Sequence, residues 1–270
     1  MTAPVYLLPD LREYAEKSAT VLRITGEEAR HAVTVRRTRV GEEIDVCDGD
    51  GLRARCVVTA ADKAELVLQV NEYVDESSIG QRWVLVQALA KGGRDEQAVD
   101  MCTEYGVHEI IPWFAERAVV SWKGKETKRR ERWQSIAQAA AKQSRRSWLP
   151  RVASPVTSES LADAVREATG RGARVYLCHE EASTPLSSRV REDGSTGDVW
   201  VIIGPEGGIS PEECELLEGA GAQKVLLAPH VLRSSTAGAY AFATIAAAGV
   251  SEGASAGETT NESKSVQGTL

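Results

Sequence analysis

VIIGPEGGISPEE, residues 201–213, combines the features of a strand, a glycine loop and a helix start in one short run. Residues 200–203 are apolar and followed by Gly-Pro, which predicts a short strand buried in a parallel sheet. Ser210 can cap a helix, Pro211 suits the first helical position, and Glu213 completes a capping box. Open α/β sheets bind nucleotide-like ligands at such a loop, because small residues let the ligand approach the backbone. We therefore expect a cofactor pocket here.

The composition is that of a globular chain. Its 270 residues are enough for about two domains, and 42% of them are hydrophobic. No apolar run approaches the ~20 residues of a membrane span, and the N-terminus lacks the pattern of a signal peptide. The five cysteines are scattered without a Cys-x-x-Cys pair, which favours reduced thiols. The sequence predicts a cytoplasmic protein with no membrane partner and no metal site.

The first part of the chain has a β-rich pattern. Residues 1–75 carry short β-type runs separated by turns, with one helix over 27–35, and predict a small β domain. Asp48-Gly49-Asp50-Gly51 is typical of a tight hairpin turn. Residues 76–81 are polar and predict a linker.

The second part alternates strands with helices. Residues 82–250 predict an α/β domain, with helices over 95–105 and around 128–146 and a last Ala-rich helix over 234–248. After it the composition changes to Ser, Gly, Glu, Thr and Asn, so residues 251–270 predict a disordered tail.

The glycine loop excludes two common nucleotide sites. A phosphate-binding loop of the Walker type needs a Gly-Lys-Ser/Thr run, and residues 207–210 contain no lysine. The dinucleotide motif GxGxxG is absent, and Glu206 would repel a polyphosphate. The loop therefore favours a ligand without phosphates that carries positive charge, such as S-adenosylmethionine. The alternative is that residues 204–208 form only a tight turn between strand and helix.

Positive charge is concentrated in two clusters, although the formal net charge is −7. The smaller cluster contains Arg30, Arg36, Arg37 and Arg39. Because local fields decide phosphate binding, the two clusters favour an RNA partner, with a solvated helix face as the alternative for residues 123–132. The larger cluster consists of Arg117, Lys123, Lys125, Lys128, Arg129, Arg130, Arg132, Lys142, Arg145, Arg146 and Arg151.

A second motif, LLAPHVLRSSTA at residues 226–237, again runs from a strand through an irregular loop to a helix start. Together with GPEGGIS it resembles the signature of the SPOUT methyltransferases, and within them the RsmE type, which methylates N3 of one uridine in 16S ribosomal RNA. The resemblance covers residues 5–249. Further matching segments are HAVTVRR (31–37), CDGDG (47–51), QALAKG (87–92), TEYGV (103–107) and AAAKQSRR (139–146).

The resemblance implies a fold, a cofactor and partners. The fold is a knotted parallel-sheet α/β domain of the SPOUT type, preceded by a small PUA-like β-barrel that docks RNA. The cofactor is S-adenosylmethionine, and the partners are 16S rRNA or the 30S subunit and a second copy in a homodimer. The cofactor-binding residues implied are Ile203, Gly204, Glu206, Gly207, Gly208, Leu227, Pro229, Val231, Leu232 and Ser234. The RNA-binding residues implied are Arg36, Arg37, Arg39, Lys91, Arg145 and Arg146.

Arg233 is the candidate catalytic cation, because an anion develops on the uracil when N3 loses its proton. The alternative is an arginine that closes its loop by hydrogen bonds to carbonyls. Glu206 and His230 are the candidate bases. The chain departs from the family at Ala228, His230 and Ser235, where Gly, Arg and Glu are usual. These departures leave two other hypotheses: a methyltransferase for another RNA site, and a non-catalytic RNA-binding assembly factor.

Overall fold

The computed structural model describes residues 3–62, 65–78, 80–194 and 197–253. The N-terminal region forms a five-stranded sheet in the order β1-β3-β4-β5-β2, antiparallel except between β1 and β3. Its buried core includes Leu22, Leu66 and Leu68 from the strands and Ala29 and Ala32 from the helical segment packed on them. The elements are β1 (Val5–Leu7), α1 (Leu11–Glu16), β2 (Val21–Thr25), α2 (Gly26–Arg30), a π-helical turn (His31–Val35), β3 (Glu43–Cys47), β4 (Leu52–Ala61) and β5 (Glu65–Asp75).

The C-terminal region forms a parallel sheet in the order β12-β10-β11-β6-β7-β8, with β9 paired to β7. The elements are β6 (Trp83–Ala88), α3 (Arg94–Glu104), β7 (Glu109–Phe114), α4 (Glu126–Gln143), β8 (Arg151–Val152), β9 (Val156–Thr157), α5 (Ser158–Gly170), β10 (Arg174–Cys178), α6 (Leu186–Asp193), β11 (Val199–Ile203), α7 (Pro211–Gly219), β12 (Gln223–Val225) and α8 (Ser234–Gly253).

Strand β11 lies in the middle of this sheet and is buried on both faces. Successive side chains of a strand point to opposite faces, so Val201 packs with α3, α4 and α8 while Ile202 packs with α5 and α7. A strand covered on both sides needs a continuous apolar run, which is what the sequence provides. The predicted buried strand is therefore confirmed. The capping box is confirmed as well, since Ser210 Oγ accepts from the Glu213 N–H and Glu213 Oε2 from the Ser210 N–H.

The chain after β12 runs beside the segment that leads into α6. The Leu226 N–H donates to the Thr184 carbonyl, and the Leu226 carbonyl accepts from the Leu186 N–H, each at 2.9 Å. Helix α8 then packs on α3, and Gly238 makes this close contact possible, because a Cβ there would lie 2.8 Å from Cys102 Sγ. The segment after β12 thus lies side by side with the segment before α6.

The two regions meet where the 48–51 turn docks on residues 145–149. The turn connects β3 to β4, so the predicted hairpin is confirmed. The Arg53 guanidinium donates to Asp45, to Glu76 and to the Arg145 carbonyl, and Ser147 donates to the Glu76 carboxylate. Residues 76–81 were predicted as a linker, but Glu76 is held in this network.

Several elements differ from the sequence predictions. The helix predicted over 27–35 divides into α2 and the π-helical turn. The short elements β1, α1, β2, β8 and β9 were not predicted, because runs of two to six residues carry too little periodicity. Helix α8 extends to Gly253, three residues into the predicted disordered tail; residues 254–270 lie outside the described part of the chain.

Candidate functional site

A cavity of about 380 Å³ lies where neighbouring strands of the parallel sheet end. The register places Cys178 of β10 beside Ile203 of β11 and Val225 of β12, so the loops that follow these strands converge. The first residue of α3, Arg94, completes the lining. A cavity at the carboxyl ends of parallel strands, in the size range of ~300–1,000 Å³, is typical of a cofactor site.

All but one of the predicted cofactor residues line this cavity. The exception is Gly207: a Cβ on it would lie 2.9 Å from the Arg117 carbonyl oxygen, so this glycine lets the loop pack against the chain after β7. Gly204 lines the cavity, but a Cβ there would lie 2.6 Å from Ile209 Cγ1. Two glycines expected to admit a ligand are therefore required by packing within the protein. The lining residues predicted from the sequence are Ile203, Gly204, Glu206, Gly208, Leu227, Pro229, Val231, Leu232, Ser234 and the catalytic candidate Arg233.

Glu206 ties the glycine loop to the start of α3. Its Oε1 accepts from Arg94 Nη1 at 2.8 Å and from the Lys91 N–H at 3.3 Å. Burial favours the neutral acid, but the hydrogen bonds from backbone groups and from Arg94 outweigh it and hold the pKa of Glu206 below its ordinary value. A lowered pKa makes a carboxylate a weaker base, which disfavours Glu206 as the group that removes a proton.

Arg233 and Ser234 bring unengaged polar atoms to the cavity. Arg233 precedes α8, and its carbonyl accepts the first hydrogen bonds of that helix. Its exposed guanidinium makes no hydrogen bond or ion pair with any described residue, so the alternative of a loop-closing arginine is not observed. Ser234 is 6% exposed, and its Oγ is buried without a partner among the described residues. Buried hydroxyls are normally satisfied, so an unsatisfied one in a cavity points to a ligand.

The sequence did not predict the loop after β10 or Arg94 as parts of the site. Cys178, His179 and Glu180 line the cavity, and Glu180 Oε1 comes within 3.8 Å of the place where a Cβ on Gly208 would lie. His179 Nδ1 accepts from the Glu181 N–H at 3.2 Å, whereas the His230 ring makes no hydrogen bond among the described residues. Strand β10 itself was predicted correctly, and neighbouring parallel strands end at the same edge, so its last residue carried the signal.

The predicted RNA-binding residues divide into two groups. Arg36, Arg37, Arg39 and Lys91 are exposed, and none forms an ion pair within the part of the chain that is described. Arg145 is half-buried in the left-handed conformation (φ 61°), and its carbonyl accepts from Arg53. The first group is available to phosphates, whereas Arg145 belongs to the junction between the two sheets.

Arg146 is engaged by the protein itself. Its guanidinium donates to the carbonyls of Thr103, Gly106 and Val107 at 2.8–3.1 Å, where α3 ends. Burial lowers its pKa to about 10. Carbonyls at the C-terminal end of a helix lack donors within the helix, and the Arg146 guanidinium donates to those at the end of α3. We correct the sequence expectation accordingly: this arginine closes a helix and is not carried forward as an RNA contact.

Among the described residues, no group of three His, Cys, Asp or Glu side chains could hold a metal ion. No described helix is long and apolar enough to cross a bilayer.

Comparison with known families identifies both regions. An RNA methyltransferase domain model matches residues 77–246, and an RNA methyltransferase PUA domain model matches residues 24–71. The ribosomal RNA small subunit methyltransferase E of Mycobacterium bovis is 38% identical over 229 residues, covering 84% of this chain and 87% of that protein. The protein of that name from Bacillus subtilis is 31% identical over 243 residues, covering 87% and 93%.

Solved structures agree with this assignment. A putative methyltransferase from Legionella pneumophila, in complex with the cofactor SAM, is 29% identical with a TM-score of 0.70 over 84% of this chain and 92% of that one. The methyltransferase E of Neisseria gonorrhoeae, bound to S-adenosyl methionine, has a TM-score of 0.78 over 91% and 98% at 24% identity, which shows the shared fold. The expected α/β fold with an N-terminal PUA-like domain is confirmed, and the chain belongs to the ribosomal RNA small subunit methyltransferase E family of RNA methyltransferases.

Proposed function

We propose that this protein transfers a methyl group from S-adenosylmethionine to N3 of one uridine in 16S ribosomal RNA. The observation that carries the proposal is the pairing of the unsatisfied Ser234 hydroxyl with the free Arg233 guanidinium in one cavity of this family's fold. The Ser234 hydroxyl would bind a polar group of S-adenosylmethionine, and the Arg233 guanidinium would face the uracil as it gains negative charge.

The cavity suits this cofactor. Ile203, Leu227 and Leu232 offer apolar surface for an adenine ring, and backbone groups of the loops after β11 and β12 offer hydrogen bonds. Ser234 Oγ offers one more. The Glu180 carboxylate offers negative charge to a sulfonium or an ammonium group, while the Glu206 carboxylate is paired with Arg94. When bound, S-adenosylmethionine supplies the methyl group and leaves as S-adenosylhomocysteine.

The chemistry at uracil explains what the side chains must do. N3 carries a proton, and its lone pair is delocalised in the imide, so the proton must leave and the resulting anion on the ring oxygens must be stabilised. Arg233 supplies that stabilisation, because a positioned cation next to developing charge lowers the barrier. His230 fits proton acceptance better than Glu206, since its ring is free while the Glu206 carboxylate is held by Arg94 and Lys91.

A homodimer, the 30S subunit and a cytoplasmic location complete the proposal. Two large apolar side chains near the cavity are exposed: Val231 by 80% and Tyr240, on α8, by 45%. Exposed apolar surface beside a site is typical of an interface. A second copy would cover both side chains and close the cavity, and sedimentation equilibrium tests this state.

Methylation assays on defined RNA test the activity. Free 16S rRNA and 30S subunits from a strain that lacks the gene are incubated with the protein and labelled S-adenosylmethionine, and the modified nucleosides are mapped by mass spectrometry. We expect N3-methyluridine at a single position. Methylation at a different RNA position would support a methyltransferase for another RNA site. A calorimetric titration that shows no heat of S-adenosylmethionine binding would support a non-catalytic RNA-binding assembly factor.

A further inference from the structure

A second cavity, of about 430 Å³, lies between the N-terminal sheet and α4. The N-terminal region contributes Tyr6 from β1, His31 from the π-helical turn and Arg36 directly after it. Helix α4 contributes Gln138 and Gln143. The cavity is separate from the one at the ends of the parallel strands, with which it shares no lining residue.

One wall of this junction cavity is held by an ion pair. Lys142 Nζ lies 2.7 and 2.8 Å from the two oxygens of the Glu28 carboxylate and 5.9 Å from the centre of the Tyr6 ring. Both side chains of the pair are mostly buried. Because the pair joins α4 to α2, it fixes the width of the cavity and leaves Lys142 no free charge for a ligand.

The opposite wall carries one free cation, the Arg36 guanidinium, together with the His31 ring and the exposed Glu27 carboxylate. The π-helical turn places one extra residue in its coil, so that His31 and Arg36 face the same space, and the Arg36 N–H donates to the His31 carbonyl at 3.1 Å. Such turns occur often at functional sites. The Arg36 guanidinium has no carboxylate within ion-pair distance in the described chain. The exposed Arg37 and Arg39 continue the positive charge beyond the rim.

The α4 wall supplies side-chain amides with no partner among the described residues. The lining residues recur at i, i+3, i+4, i+7 and i+8 and therefore share one helical face: Ser135, Gln138, Ala139, Lys142 and Gln143. The amides are those of Gln138 and Gln143. A side-chain amide donates and accepts at once, as the edge of a nucleobase does.

The junction cavity lies along the same helix pair that starts at the cofactor cavity. Arg94 at the start of α3 reaches Glu206, Arg132 on α4 reaches Glu96 near that end, and Arg146 reaches the far end of α3. The two helices therefore run in the same direction. Residues 138–143 lie about 9 to 17 Å along α4 from Arg132, at ~1.5 Å per residue.

We propose that the junction cavity binds one unpaired nucleotide of the substrate RNA, with its phosphate on Arg36 and His31 and its base edge on Gln138 and Gln143. The inference rests on the proposed function and adds a recognition site to it. A polymer is favoured over a free nucleotide because unpaired cations extend past the rim, and single strands bind where a positive track adjoins pockets for bases.

Filling the cavity is the direct test. Ala139→Trp adds bulk on the exposed α4 face without changing charge, and Gln138→Ala with Gln143→Ala removes the base contacts without adding bulk. We expect the KM for the RNA substrate to rise about tenfold in each variant, with kcat at saturating RNA and the Kd for S-adenosylmethionine unchanged. Arg166→Ala, on α5 across the sheet, is the control. A KM within twofold of wild type for the double variant would overturn the proposal.

Salt dependence separates phosphate from base contacts. Arg36→Ala should flatten the slope of log Kd for single-stranded RNA against log salt by about 0.7, the value for one lost phosphate contact, whereas the Gln138/Gln143 double variant should keep the wild-type slope. Equal slopes for Arg36→Ala and wild type would overturn the phosphate assignment. Binding of uridine monophosphate as tight as that of RNA would also overturn the proposal in favour of a free-nucleotide site. If the wild type modifies no 16S rRNA, the proposed function is wrong. If the wild type methylates 16S rRNA and the variants keep its KM, only the proposed nucleotide site in the junction cavity is overturned.

Discussion

Basic residues at the two ends of the helix pair α3 and α4 differ in what their side chains contact. At the end beside the parallel strands, Arg233 and Lys91 are exposed and form no ion pair among the described residues. At the end beside the N-terminal sheet, Arg53 and Arg146 each donate several hydrogen bonds to carboxylates or carbonyls. The first end also has two engaged arginines, Arg94 with Glu206 and Arg132 with Glu96, so the contrast is between the free Arg233 and Lys91 and the engaged Arg53 and Arg146.

This difference shows why a cluster of basic residues does not by itself define an RNA surface. Arg145 and Arg146 stand in the same sequence cluster as Lys128 and Arg129, yet the first two complete the junction between the sheets while the last two are exposed. Arg146 differs from Lys128 and Arg129 because the folded chain brings it to the carbonyls at the end of α3, and Arg145 differs because its carbonyl accepts from Arg53. Substitutions at the two ends should therefore affect different quantities.

Arg146→Ala should have the largest effect on stability. It removes three hydrogen bonds from a half-buried cation to the carbonyls of Thr103, Gly106 and Val107 at the end of α3. We expect the free energy of unfolding to fall by about 3–4 kcal/mol, measured by urea denaturation. Arg129→Ala, an exposed position on α4 without an ion pair, is the control and should change it by less than ~0.5 kcal/mol. A loss of RNA affinity at unchanged stability would restore Arg146 as a phosphate contact.

Gly51→Ala tests whether the hairpin turn is also a docking surface. Gly51 has a φ of 95°, and a Cβ there would lie 2.7 Å from Ser77 Cα and 2.8 Å from the Trp148 ring. Gly41 has a φ of 90° but open space around it. Backbone strain should lower the free energy of unfolding of both alanine variants by ~1–2 kcal/mol. Because only Gly51→Ala adds the clash, we expect its free energy of unfolding to fall by about 3 kcal/mol. Equal losses in thermal or urea unfolding would mean that the junction gives way freely.

The sequence predicted the parts of the fold that carry strong local patterns. The buried β11, the capping box of α7 and the turn at 48–51 have distinct residue patterns, and all three were predicted correctly. The ligand site at the loop after β11 was expected from its place between a strand and a helix, whereas the individual cavity residues were implied by the family resemblance. The missed features depend on contacts distant in sequence: Arg94 on Glu206, Arg146 on α3, and Gly207 against the Arg117 carbonyl. No local pattern distinguishes these residues from solvated arginines or ligand-facing glycines.

Arg233→Ala tests the free end of the pair. Because the guanidinium contacts no described residue, its loss should leave the free energy of unfolding unchanged. The Kd for S-adenosylmethionine should stay within about twofold of wild type. If it stabilises the anion on the uracil, kcat should fall about a hundredfold, equivalent to about 2.7 kcal/mol in the transition state. Arg233→Lys keeps the charge and should recover part of the rate. An equal fall in cofactor affinity and kcat would make Arg233 a cofactor-binding residue.

The pH dependence of stability offers a smaller test at the junction end, at His108. Burial, and then the positive charges of Arg146 and Arg82, lower the pKa of His108 to about 4 from its ordinary 6.5. The unfolded chain therefore takes up a proton between pH 6.5 and 4 that the folded chain does not. The contribution to stability is complete above pH 6.5 and is lost as the pH falls toward 4, by about 2 kcal/mol after allowing for partial exposure.

His108→Asn isolates this contribution, because an amide oxygen can still accept the Trp83 N–H that His108 Nδ1 accepts at 3.2 Å but does not titrate. Urea denaturation at a series of pH values should show a flatter profile for the variant between pH 6.5 and 4, and parallel profiles above pH 7. If the free energy of unfolding had the same pH slope in both proteins, the junction would open and let His108 take up its proton without a cost in stability. The hydrogen bonds of Arg53 to Glu76 and of Arg146 to the end of α3 would then hold the junction less firmly than their geometry indicates, and the contrast between these engaged arginines and the free Arg233 would lose its physical basis.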